Sequence, residues 1–158
     1  MPARWRQPFT HAVRTAVAAS ASLALARLVR VPEPYWAPMI TLIVMQSTLG
    51  ASWGVSKSRL IGTAIGAAAG VGLSFHFPVN AILFGLTILA LGIIFALARL
   101  DQSAYRFAGV TVAMVALVEH GSTSPTLIAL HRCAQVCIGI VVALALAWFW
   151  PENPKMDK

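Results

Sequence analysis

Arg59-Leu60-Ile61-Gly62-Thr63-Ala64-Ile65-Gly66-Ala67-Ala68-Ala69-Gly70 is a run of twelve residues with one charge, one hydroxyl and three glycines. At about 100° per residue, with Arg59 as zero, Gly62 falls near −60°, Thr63 near +40°, Gly66 near −20° and Gly70 near +20°. One helix face, about 100° wide, therefore carries the cation, the hydroxyl and all three glycines. Two overlapping Gly-x-x-x-Gly spacings, 62–66 and 66–70, allow a second helix to approach closely, which is how helices pack in lipid. A cation on that face points into protein or a water-filled path and away from lipid, where it would be costly. The competing reading is an anchor whose stem lies along apolar surface while its head reaches water.

The rest of the chain agrees with a membrane setting. Of 158 residues, 58% are apolar and 11% charged, against roughly 45–50% and 25% in soluble domains. Twelve bases against five acids leave a formal charge of +7, but the bases stand singly between apolar runs, with no cluster to track phosphates. That excludes nucleic acid as a partner. About 20 apolar residues make one span, and the punctuation marks six: about 11–31, 35–51, 57–77, 79–99, 105–119 and 126–150. The fold expected is all-α integral membrane, with residues 1–10 and 152–158 as cytoplasmic tails around a membrane domain at 11–151. A cleavable leader is not expected, because the first apolar run carries Arg27 and Arg30 at its end and lacks a cleavage site.

Orientation follows from the bases. With the amino terminus inside, Arg4, Arg6, Arg14, Lys57, Arg59, Arg99, Arg106, Lys155 and Lys158 lie on the inner side. Only Arg27, Arg30 and Arg132 lie outside. Both termini are then cytoplasmic and the chain sits in an inner membrane. Trp5, Trp53, Trp148 and Trp150 mark the inner interface, and Tyr35 and Trp36 the outer one.

A faint repeat runs through the sequence. Arg59, Gly66 and Pro78 recur as Arg132, Gly139 and Pro151, and Tyr35 and Thr41 recur as Tyr105 and Thr111. A three-span unit repeated once must be inverted, because an odd number of crossings flips the copy. So few matched positions fit chance as well as descent.

Further polar positions follow the same logic. From Arg132, Gln135 falls near −60° and Gly139 near −20° at about 100° per residue, so an arginine and an amide again share a small-residue face. It fits an anion contact or a polar helix contact that fixes packing. Arg14 lies on a stripe with Ala18 and Ala21, a weaker echo that also suits an inner anchor. Gln46, Ser47 and Thr48 line a path or make packing hydrogen bonds. Glu119 and His120 form either a proton-exchange pair or a solvated helix end. Cys133 and Cys137, four apart on one helix, are poorly placed for a disulfide. With His131 they give too few ligands for a metal.

No Gly-x-x-x-x-Gly-Lys-Ser/Thr, His-Glu-x-x-His or Gly-x-Ser-x-Gly motif occurs, and no paired carboxylates. No enzyme activity, metal or other cofactor is therefore expected. The intramembrane charge is mostly guanidinium, which matches carboxylates through paired hydrogen bonds.

Tyr35-Trp36-Ala37-Pro38 with Thr41 and Gln46, then Arg59-x-x-Gly62-Thr63-x-x-Gly66, and later Arg132 before Gly139, resemble the membrane domain of the fusaric-acid-resistance/aromatic-acid-exporter family. The aluminium-activated malate channels of plants are relatives of that family. The resemblance covers about Arg14 to Pro151. It implies a six-helix membrane domain that assembles with another copy and moves organic anions, aromatic carboxylates in the first place. It also implies an anion path at Arg59 and Arg132, and less directly at Arg14, with Thr63 and Gln135 beside them. Gly62, Gly66, Gly70 and Gly139 would serve helix packing. Larger members of the family carry a cytoplasmic domain or a second membrane half, so a homodimer or a partner subunit is expected. Some members work with a periplasmic adaptor. An anion channel and a non-transporting membrane subunit that binds lipid are the alternative readings.

Overall fold

The computed structural model describes residues 6–46, 48–76, 80–117 and 123–150. Among these, the elements are six α-helices: α1 (Arg6–Leu28), α2 (Trp36–Val44), α3 (Leu49–His76), α4 (Ala81–Leu97), α5 (Gln102–Ala116) and α6 (Pro125–Phe149). Two of them, α3 and α6, are long and apolar enough to cross a membrane, and α4 is a shorter apolar helix of 17 residues. Ile82, Leu86, Leu89, Ile93 and Leu97 on α4 are all at least half exposed, an apolar surface suited to hydrocarbon and ill suited to water.

The expected second segment, 35–51, is not one helix. α2 stops at Val44, Met45 is extended, and α3 starts at Leu49, eight residues before the expected 57. Local polar groups cause the break. Thr48 Oγ1 accepts from the Ala51 N–H (3.2 Å), an N-cap for α3. Ser52 Oγ accepts from the Gln46 N–H (3.0 Å). With nine residues, α2 spans only about 13 Å, less than half of a hydrocarbon core of about 30 Å.

The chain divides into two compact units. Unit 1 is Met1–Ser56 with Gln135–Lys158, and unit 2 is Lys57–Ala134. In unit 1, α1 packs on α2 and buries Arg14, Ala18, Ser22 and Ala26, a stripe with a strict four-residue step. Ile40 and Val44 of α2 meet Val136, Ile140 and Ala143 of α6 in the core. In unit 2, Leu73, Leu91, Phe95, Ala104, Ala108 and Val112 form a core from α3, α4 and α5. A second cluster there joins Ala67, Val115, Ile128 and Ala129.

Each unit repeats the other's devices. α1 and α4 both end on an arginine in the left-handed region, Arg30 (φ 56°) and Arg99 (φ 51°). The Val31 N–H bonds the Ala26 carbonyl and the Leu100 N–H the Phe95 carbonyl, each at 3.0 Å. Both are Schellman closures, usually built on glycine. The buried residues of α2, Ala37, Ile40, Thr41 and Val44, stand 71 positions before Ala108, Thr111, Val112 and Val115, four of the five buried on α5.

Candidate functional site

The site in unit 2 grows from the glycine face of α3. A Cβ at Gly62 would fall 2.8 Å from Phe107 Cβ and closer still to the Ala104 carbonyl oxygen. One at Gly66 would meet Ala108 backbone atoms and Thr111 Cβ (2.9 Å), and one at Gly70 would meet Val115 Cβ (2.9 Å). These distances leave no room for a side chain, so three glycines on successive turns set how closely α5 approaches. Ala104 and Ala108 give α5 a matching small surface, and both are buried. Thr63 is buried on the same α3 face.

That approach decides what surrounds Arg59. Its Cζ lies over the Phe107 ring, 4.4 Å from the centroid, a cation–π distance. The side chain is only 9% exposed, and its Nε is a buried donor with no hydrogen-bond partner. Leaving such a donor unfilled costs about 1–3 kcal/mol, so a guanidinium held this way favours an acceptor that completes it. The neighbouring Ser58 Oγ instead donates to Asp101 Oδ2 (3.0 Å).

Arg132 is buried in the same unit and donates from Nη2 to Met114 Sδ. Phe107 and Met114 are seven residues apart on α5, so they share one face about 10 Å apart along the axis. The two arginines thus contact a single helix, through a ring face and a thioether. Neither α5 residue was singled out in the sequence. The available signal was the Ala104–Ala108 pair, which marks the α5 face able to receive the α3 glycines.

The chain matches the family model described as fusaric acid resistance protein-like over residues 18–146. It belongs to that family. No curated protein and no solved structure matches it. The fusaric acid resistance protein-like stretch contains Arg59, Arg132, Gln135 and every glycine of the two packing faces, while Arg14 lies before it. Membership, together with two helices long and apolar enough to cross a membrane, gives a membrane protein with a transport-related role.

Within this family member, the remaining expected site residues lie in unit 1 and contact backbone. Arg14, 1% exposed, donates from Nη2 to the Gln46 carbonyl (2.6 Å) and from Nη1 to the Trp150 carbonyl (2.9 Å). His11 Nδ1 lies 3.5 Å from Nη2. Arg14 therefore joins α1 to the α2–α3 break and to the carboxyl end of α6. Among the described residues those carbonyls have no helical partner, and inside a membrane such groups need an internal one. Gln135 Nε2 donates to the carbonyls of Pro32 (2.7 Å) and Glu33 (3.4 Å). A Cβ at Gly139 would fall 2.8 Å from both the Ala37 carbonyl oxygen and Ile40 Cβ. Thr41 Oγ1 donates to the carbonyls of Ala37 (3.0 Å) and Gly139 (3.2 Å). Glu119 and His120, the expected proton-exchange pair, lie outside the described residues, as does Ser47.

Proposed function

We propose that this protein carries organic anions, aromatic carboxylates foremost, across the inner membrane, and that Arg59 is their principal contact. The observation that carries this reading is a guanidinium nine-tenths buried on a helix long and apolar enough to cross a membrane, with an unfilled Nε donor and an aromatic ring as its neighbour. Carboxylates match that donor geometry through paired hydrogen bonds. Arg132, which reaches the same face of α5 from α6, is a second station. Two stations that each bind weakly let an anion enter and also leave. Thr63 supplies a hydroxyl beside the first. The direction is export, with both termini cytoplasmic and six spans arranged as two inverted repeats. A homodimer completes the assembly, with a periplasmic adaptor as a further partner and Glu119 with His120 as the route for coupled protons.

Arg14 favours a second reading for its own position. Bonded to two backbone carbonyls, it suits a structural tie better than a station on the path. If every arginine served that way, the protein would be a non-transporting membrane subunit.

Purified protein in liposomes tests the proposal through uptake of radiolabelled hydroxybenzoate by wild type and Arg59→Gln. Uptake by the wild type that falls at least tenfold in the variant is expected. No wild-type uptake of any anion leaves the subunit reading. Uptake unmoved by a proton gradient replaces the carrier with an anion channel.

A further inference from the structure

Phe107 enters the site by a route that differs from ordinary core packing. Its backbone is set by Gly62, because only a residue without a Cβ lets α5 come so near α3 at that level. Gly62 stands three residues after Arg59, nearly one turn, so the contact that fixes Phe107 also brings its ring to the guanidinium. The ring is partly buried and takes up the approach to Cζ at 4.4 Å. It attracts the cation through the negative face of its π-system, yet accepts no hydrogen bond in the plane of the guanidinium.

Most buried arginines are paired with a carboxylate, which satisfies the N–H fork and cancels the charge. The ring does neither. It holds the cation from one side and leaves the Nε donor unfilled, so the free requirement is an acceptor at the edge of the fork. A planar oxyanion with two oxygens about as far apart as two guanidinium N–H groups meets it with parallel hydrogen bonds. A halide offers one spherical acceptor and completes only part of it.

We propose that Phe107 is a positioning and selectivity residue, holding Arg59 so that carboxylates are taken in preference to halides. The inference rests on the reading of Arg59 as the anion contact. Phe107 itself need not touch the anion. It acts by keeping the fork presented edge-on, and any ring in its place does the same.

The test uses the full chain in liposomes, with benzoate uptake measured over a concentration series and chloride added as competitor. Phe107→Leu is expected to raise the benzoate KM about tenfold, the effect of losing roughly one cation–π contact. Maximal uptake should stay within about twofold of wild type, and chloride should compete better relative to benzoate. Phe107→Tyr, which keeps the ring, is expected to restore KM and the chloride ratio. Phe107→Met fills the space without a ring and should behave like Leu, which guards against loss through a cavity. Reduced maximal uptake with unchanged KM, or a Tyr variant as impaired as Leu, overturns the proposal while Arg59-dependent uptake in the wild type stands. No wild-type uptake overturns the Arg59 reading and this one with it.

Discussion

In unit 2, Gly66 lets α3 rest on Ala108 and Thr111 of α5. In unit 1, Gly139 lets α6 rest on Ala37 and Ile40 of α2. Gly139 follows Gly66 by 73 positions, and Ala108 and Thr111 follow Ala37 and Ile40 by 71, so the two contacts occupy nearly the same register. One turn away the units diverge. Position 62 is glycine, and the space it leaves is filled by Phe107. Its counterpart at 135 is glutamine, whose amide donates to the Pro32 and Glu33 carbonyls. In unit 1, Arg14 and Gln135 both donate to backbone carbonyls. Unit 2 holds Arg59 against the Phe107 ring. The same packing device thus supports an arginine tied to backbone carbonyls in one place and an arginine held by an aromatic ring in the other.

The comparison is broken most severely at the glycines. Gly66→Leu and Gly139→Leu are expected to abolish folding in detergent, because the added side chain meets backbone on the facing helix. Alanine at either position should cost on the order of 1–3 kcal/mol, read as a loss of thermal stability. Equal losses in both units would confirm the shared device. A tolerant Gly66 beside an intolerant Gly139 would break it.

Next in size is the contrast between arginines. Arg14→Gln removes the donor to two part-buried backbone carbonyls and should destabilise by about 1–3 kcal/mol. Arg59→Gln removes no hydrogen bond and should change stability by less than about 1 kcal/mol, the scale of its cation–π contact.

Gln135→Gly makes position 135 resemble position 62. It should cost about 1–2 kcal/mol through the bond lost to Pro32 and the added helix glycine, without changing the benzoate KM. A changed KM would show that Gln135 belongs to the anion path after all.

The smallest effect marks where glycine is not required. A Cβ at Gly72 meets nothing within 4 Å, so Gly72→Ala should be neutral or stabilising by up to about 1 kcal/mol from helix propensity. Destabilisation there would reveal a helix–helix contact involving another copy.

Much of α3 was legible because a helix maps spacing onto a face: Arg59, Gly62, Thr63, Gly66 and Gly70 fall together by arithmetic alone. The partners on that face were not legible. Phe107 lies 48 positions from Arg59, and nothing local to either residue announces the other. Arg14 was legible as a cation on a small-residue stripe or as an inner anchor, but not as a carbonyl donor, since its acceptors are backbone groups at positions 46 and 150. The α2–α3 break is not legible while Gln46, Ser47 and Thr48 are read as side chains of one continuous span that line a path or make packing hydrogen bonds. Thr48 acts as an N-cap and Ser52 as an acceptor for the preceding turn, a signature that a hydroxyl before Leu49-Gly50-Ala51 does carry.

The most direct test of this division of labour measures thermal unfolding and hydroxybenzoate uptake on the same preparations of Arg59→Gln and Arg14→Gln. The account predicts Arg59→Gln as stable as wild type to within about 1 kcal/mol but at least tenfold slower in uptake, with Arg14→Gln clearly destabilised. Wild-type uptake in Arg59→Gln, or a loss of stability matching that of Arg14→Gln, would contradict it.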